Sequence, residues 1–198
     1  RIEVEGGRVR GVATGRGGSI PASRVINAAG AWAREVGAAA GAPLPLRPTR
    51  RHMLAFARDA RAAASPVVWD DIAALYVRAR GDRWLVSPCD VEDAAPGAGG
   101  GYDVDPEIVE RTRDRLTPFA PELADAPLVD VWAGYRDLAP DDRPVLGEDP
   151  RVPGLSWCAG FGGHGMTLGL AAGRSAARAT LGLEDPWTKH CDPMRLCD

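Results

Sequence analysis

Lysine is almost missing from this sequence. Lys189 stands alone, so 23 of the 24 basic residues are arginines. Histidine (3), methionine (3) and aromatic residues (6%) are also sparse. Basic residues are not in excess, because 27 acidic residues leave a net charge of −3, and this argues against a nucleic-acid partner. No run reaches the ~18 consecutive apolar residues that a membrane-spanning helix needs. The most apolar helical stretch, residues 166–181, is broken by Arg174 and Arg178. Cys89, Cys158, Cys191 and Cys197 are irregularly spaced in a chain large enough to fold without staples, so reduced thiols are expected. His190, Cys191, Asp192 and Cys197 lack a second Cys-x-x-Cys or His pair, so no metal centre is expected. A signal-peptide pattern is also missing, which fits a cytoplasmic location.

What is present suits a globular domain with a core: 198 residues, 45% hydrophobic and 26% charged. The chain opens at Arg1 inside a strand-like run, and its first methionine is Met53. The expectation is therefore a piece of a longer protein, cut on its N-terminal side.

Residues 2–14 alternate apolar and polar around Gly6-Gly7, which predicts a hairpin. A second turn at residues 15–18 leads to Ile20 and then to Arg24-Val25-Ile26-Asn27-Ala28-Ala29-Gly30, so two strands of a meander feed a third, buried strand. Residues 32–40 read as a helix stopped by Gly41 and Pro43. Pro43, Pro45 and Pro48 mark an extended crossing and a domain boundary. Strands are expected at residues 51–57, 67–70, 73–80 and 84–87, with Gly81-Asp82 as a turn and residues 94–101 as a loop. Asp105-Pro106-Glu107 opens a helix to about Thr117. Residues 128–138 and 155–159 read as strands, the second running into a glycine-rich turn and a helix to about Leu181.

That turn, Gly160-Phe161-Gly162-Gly163-His164-Gly165, satisfies G-x-G-x-x-G between a strand and a helix. A nicotinamide dinucleotide site is one reading, with Glu184 as the ribose-binding acid. Only 14 residues follow Glu184, however, too few for the second βαβ unit of that fold. Tight strand-to-helix packing is another reading. A third is a helix N-terminus aimed at an anionic group, with His164 beside it. The second constellation is Gly134-Tyr135-Arg136 followed by Pro140-Asp141-Asp142-Arg143-Pro144. Arg136 ends a strongly apolar strand, where its planar fork needs a partner. A ligand carboxylate and a salt bridge to Asp137, Asp141 or Asp142 fit equally well.

Taken in order, Val25-Ile26-Asn27-Ala28-Ala29-Gly30-Ala31-Trp32, then Gly134-Tyr135-Arg136 with Pro140-Asp141, Pro144 and Gly147, then Ala159-Gly160 through Gly165 resemble a known family. The chain looks like the C-terminal part of an FAD-dependent oxidoreductase of the D-amino acid oxidase family, in the glycine oxidase and sarcosine oxidase branch. The resemblance covers nearly the whole chain, and Asp192-Pro193-Met194-Arg195 resembles a family terminus. It implies that Ala28, Ala29, Gly30 and Trp32 lie beside the cofactor. It further implies that Phe161, Gly162, Gly163, His164, Gly165, Met166 and Thr167 wrap the flavin ring. Arg136 would grip the substrate carboxylate, and Tyr76, otherwise an ordinary half-buried strand tyrosine, would line the pocket. Gly134 stands where sarcosine oxidases attach flavin through cysteine, so non-covalent FAD is implied; Thr167 replaces a carboxylate-binding lysine.

The implied fold is α+β. Residues 1–43 and 141–185 would be parts of an FAD-binding domain lacking its N-terminal Rossmann half. Residues 44–140 would be an inserted antiparallel substrate domain, and residues 186–198 a tail. The implied reaction is oxidation of an amine or amino acid at C–N, with hydride passing to flavin and electrons onward to O2 or another acceptor. It needs no metal and no catalytic nucleophile. A non-catalytic interaction module remains the alternative from a different class.

Overall fold

Gly6 and Gly7 both sit at positive φ (59° and 74°), the backbone that a two-residue turn between right-twisted strands requires. In the computed structural model, which describes residues 1–59, 65–97 and 104–197, this turn joins β1 (Ile2–Glu5) to β2 (Arg8–Ala13). Next come β3 (Ser19–Pro21), β4 (Val25–Asn27), a 3-10 turn (Gly30–Trp32), α1 (Ala33–Ala39) and β5 (Arg47–Ala57). They are followed by β6 (Val68–Asp70), β7 (Leu75–Arg80), β8 (Arg83–Ser87) and β9 (Glu92–Asp93). After these come α2 (Ile108–Leu116), α3 (Pro121–Ala124), β10 (Leu128–Leu138), β11 (Val145–Glu148) and β12 (Leu155–Ala159). The chain closes with α4 (Gly165–Thr180), α5 (Thr188–Cys191) and a 3-10 helix (Pro193–Leu196). Residues 98–101 of the expected loop lie outside the described residues. Helix and strand are mixed, as an α+β chain requires.

The chain forms two compact units, Arg1–Thr49 with Arg136–Asp198, and Arg50–Tyr135. The chain passes between them inside the long strands β5 and β10, whereas the sequence pattern placed the limits at residues 43 and 140.

Unit 1 holds the meander β1-β2-β3 and a second sheet in the order β11-β12-β4. β4 belongs to this second sheet and not to the meander. Pro21 ends β3 without an N–H to offer, and Val25 N donates to Gly154 O (2.8 Å), handing the chain to β12. β4 and β12 then run parallel, with Val25 opposite Leu155 and Asn27 opposite Trp157. Ile26, expected inside, is 39% exposed. The core between these elements is built on Leu44, Leu46, Val145, Leu155 and Trp157, all buried. Trp157 keeps its indole N–H satisfied by donating to the buried Asp149 carboxylate (3.0 Å). The C-terminal segment is tied down by Arg195, whose Nε and Nη2 donate to the two oxygens of Asp141 (2.8 and 3.0 Å).

Unit 2 is one sheet in the order β10-β5-β8-β7-β6, with β9 pairing β5. Leu54, Phe56, Leu75 and Val86 on the sheet pack with Ile108 and Leu116 of α2. On β5 the fully buried His52 meets Asp90 through Nδ1 (2.7 Å) and accepts from Asp105 N through Nε2 (3.0 Å).

Gly37 makes the tightest contact in the unit 1 core. A Cβ there would overlap Cη2 and Cζ2 of Trp157 and lie 2.9 Å from Ala42 O. Gly37→Ala is expected to destabilise the chain by about 1–3 kcal/mol through overpacking. Urea unfolding will show this as a lowered midpoint at unchanged slope; an unshifted midpoint would show that Trp157 is not wedged there.

Candidate functional site

Because β4 and β12 are parallel, the residues that leave their C-terminal ends emerge at one edge of the sheet. That edge is where open sheets of this kind bind ligands. Residues 28–32 leave β4 and residues 160–167 leave β12, so topology brings to one edge the two sets that the family resemblance implies lie beside the cofactor. Asn27 shapes the first exit. Its Nδ2 donates to Ala33 O (2.8 Å) and its Oδ1 accepts from Ala29 N (3.3 Å). Gly30 follows at φ 55°, and Trp32 N closes onto Ala29 O (3.1 Å). Ala28 and Gly30 are left exposed, with Ala29 and Trp32 half-buried.

The second exit is a turn of three left-handed glycines, Gly160, Gly162 and Gly163, at φ 73°, 58° and 102°. Only glycine takes such angles repeatedly without strain. Gly160 is packed by Ala139, Leu46 and Val145, each 3.4 Å from where a Cβ would be. Phe161 and Gly162 are half-buried, whereas Gly163, His164, Gly165, Met166 and Thr167 are exposed. His164 precedes α4, and its carbonyl accepts from Thr167 N (3.1 Å) and Leu168 N (2.9 Å). Gly165 N and Met166 N donate to no other described residue. The head of α4 therefore offers free N–H groups and the positive end of a 16-residue helix dipole to an anionic or electron-rich group. After α4 the described residues form α5 and a 3-10 helix and no strand, so the βαβ unit of a nicotinamide site is not completed there.

Arg136 stands over this turn. A Cβ on Gly163 would lie 2.6 Å from the Arg136 Cζ and 2.8 Å from its Nε and Nη1. The guanidinium is thus seated against bare backbone at the head of α4. Two of the carboxylates considered as its partners are engaged elsewhere. Asp141 is taken by Arg195 and Arg143, which, against the opposing effect of burial, hold its carboxyl well below the usual range. Asp137 points to backbone: its Oδ2 accepts from Gly160 N (2.9 Å), and its carbonyl accepts from Gly162 N (2.8 Å). Sequence reasoning missed this role, because nothing near Asp137 in the chain announces Gly160. Burial pushes the Asp137 carboxyl up to about 6, with the Gly160 N–H opposing the rise.

Tyr76 belongs to unit 2. It is half-buried on β7, edge-on to Trp69 at 5.7 Å between ring centroids. Gly134, also in unit 2, has open space where a side chain would stand. Cys158 is half-buried on β12, where burial pushes its thiol up. Among the described residues no cluster of His, Cys, Asp and Glu could hold a metal ion. No helix among them is long and apolar enough to cross a membrane.

This fold and glycine turn define a class of protein. Residues 1–179 match the family described as FAD dependent oxidoreductase, and the chain belongs to it. Human mitochondrial sarcosine dehydrogenase is 31% identical over 176 residues, 86% of this chain and 19% of that protein. Glycine oxidase of Pseudomonas aeruginosa is 32% identical over 182 residues, 91% of this chain and 47% of that protein. Among solved structures, iminodiacetate oxidase from Chelativorans sp. BNC1 superposes with a TM-score of 0.80 at 29% identity. That match covers 97% of this chain and 51% of the other. The chain thus spans about half the length of these relatives or less.

The buried carboxyl of Asp137 makes a pH prediction. Its folded value, about 6, lies above the ordinary 3.8, so the folded chain holds the proton more tightly than the unfolded chain. Stability from this group is full below about pH 4 and is lost as pH rises through about 6. Asp137→Asn, which mimics the neutral acid, should be the more stable form at pH 8, by on the order of 2 kcal/mol. Urea titrations at pH 5 and pH 8 measure this; an equal gap between the two proteins at both pH values would contradict it.

Proposed function

We propose that the chain is part of a flavoenzyme that oxidises the C–N bond of an amine or amino acid carrying a carboxylate. Unit 1 is read as part of the FAD-binding domain and unit 2 as the substrate domain. One observation carries the proposal: the Arg136 guanidinium rests on Gly163, at the head of α4. A carboxylate clamp and an N–H-lined helix terminus thus share one turn. Membership in an FAD-dependent family supplies the cofactor.

The residues fit a flavin. Gly162 and Gly163 leave no side chain over the turn, and Gly165 N and Met166 N point N–H groups into the same exposed stretch. Residues 28–32, small apart from Trp32, follow the neighbouring strand β4. Free N–H groups and a helix dipole stabilise the negative charge that a flavin ring gains on two-electron reduction. Residues 28–32 and 161–167 would hold the flavin, which would supply a two-electron (hydride) acceptor for oxidation of the substrate C–N bond; the imine product would be hydrolysed by water and the electrons passed to O2 or another acceptor. Arg136 orients the substrate by two parallel charge-assisted hydrogen bonds to its carboxylate. Tyr76 is read as lining the substrate side. A cytoplasmic location is part of this reading, since the four irregularly spaced cysteines form no disulfide framework.

Two outcomes are expected of the full-length parent. Flavin is held without a covalent bond, since Gly134 offers no sulfur and Cys158 lies within β12. Acid precipitation should release all of it to the supernatant; yellow colour staying in the pellet would refute this. Arg136→Ala should lower kcat/KM for a carboxylated amine by about 30- to several-thousand-fold, the roughly 2–5 kcal/mol lost when one side of a buried charge pair is removed. Flavin content and melting temperature should change little, and Arg136→Lys should recover only part of the rate. The deciding comparison is one amine with and without its carboxylate, and equal losses for both would remove the clamp assignment.

A further inference from the structure

The 160–165 turn is pinned to the end of β10 largely through one residue. Asp137 accepts from Gly160 N through its carboxyl (2.9 Å) and from Gly162 N through its carbonyl (2.8 Å), and Leu138 bridges Phe161. Gly163, next along the turn, seats the Arg136 guanidinium. Left-handed glycines form a pliable backbone, so the shape of the turn depends on its pins. The Asp137 side chain is an expensive pin. The residue is only 6% exposed, and its Oδ1 has no hydrogen-bond partner among the described residues. An apolar side chain would fill this place at lower cost, so stability alone does not account for a carboxyl there.

We infer that Asp137 is a positioning residue for Arg136: its carboxyl fixes the glycine turn against which the guanidinium rests, and so sets the orientation of the guanidinium toward a carboxylate ligand. Successive strand residues point to opposite faces, so the link from Asp137 to Arg136 runs through the turn. This inference rests on the reading of Arg136 as a carboxylate clamp. Among the described residues, Arg136 and Asp137 on β10 meet the turn, His164 belongs to it, and Arg47 and Asp142 line the groove beside Leu138.

The test uses the full chain, labelled with 15N in arginine and glycine, and acetate as the carboxylate probe. Arg136→Lys identifies the Arg136 Nε–Hε signal, and Gly160→Ala the Gly160 amide. Acetate is expected to shift the Arg136 signal saturably in wild type. Asp137→Asn, whose amide oxygen still accepts from Gly160, should retain that response. Asp137→Ala should move the Gly160 amide, bring the Arg136 signal toward those of exposed arginines, and weaken acetate binding roughly five- to tenfold, the worth of one hydrogen bond.

Should Asp137→Ala fail to fold, wild type supplies the same information through pH. The Gly160 and Arg136 signals should move together with one shared midpoint, near the Asp137 value of about 6. Both movements should persist in His164→Gln and vanish in Asp137→Asn. An Arg136 signal that ignores Asp137→Ala, or that has no midpoint in common with Gly160, overturns the positioning role. If acetate shifts no Arg136 signal in wild type, the clamp reading itself fails, and the two failures are told apart.

Discussion

The Arg136 guanidinium occupies the volume that a side chain on Gly163 would need, and the geometry of the site follows from that contact. The contact requires a glycine at φ 102° in the turn and a strand that delivers an arginine to it. β10 delivers the arginine, and β12 delivers the turn. α4 leaves the turn with its N-terminal N–H groups exposed. Any larger residue at 163 would displace the guanidinium, and any other path for β12 would remove its seat.

The sheet explains why the site forms where it does. Two parallel strands end side by side, so two loops from distant parts of the chain meet at one edge. Each loop is shaped by a different device. Asn27 fixes the first with both ends of its side-chain amide, and Asp137 fixes the second with a buried carboxyl. The second device is the more costly, because burial opposes the charge that makes a carboxylate a strong acceptor. Such a carboxyl links the shape of the turn to proton binding, which a neutral amide would not do.

Much of this arrangement was legible from residue order. Gly6-Gly7, Gly41 and Gly81 mark turns through local backbone chemistry, and apolar runs mark β10 and β12, whose limits match the expected 128–138 and 155–159. Arg136 stood out because a charge at the end of an apolar strand demands a partner. What stayed hidden depends on contacts distant in sequence. The parallel partner of β4, Leu155–Ala159, lies about two thirds of the chain away, so nothing local announces the pairing. Short elements such as α3 and β11 carry too few residues to show a period. Likewise, the His52–Asp90 pair spans 38 residues, and the Asp137 carboxyl reaches Gly160 across 23. Neither spacing leaves a local signature. Asp137 was one of three carboxylates weighed as a salt-bridge partner of Arg136, whereas its carboxyl accepts from Gly160 N.

The proposal that Arg136 is a carboxylate clamp rests on the seat of its guanidinium against Gly163. The most direct measurement is a crystal structure of the full-length parent with flavin and a small carboxylate inhibitor. The account predicts the carboxylate on the Arg136 guanidinium in a two-bond fork, and the backbone of residues 162–166 facing the flavin ring. A carboxylate bound elsewhere, with Arg136 turned into an ion pair with a side chain of its own protein, would contradict it.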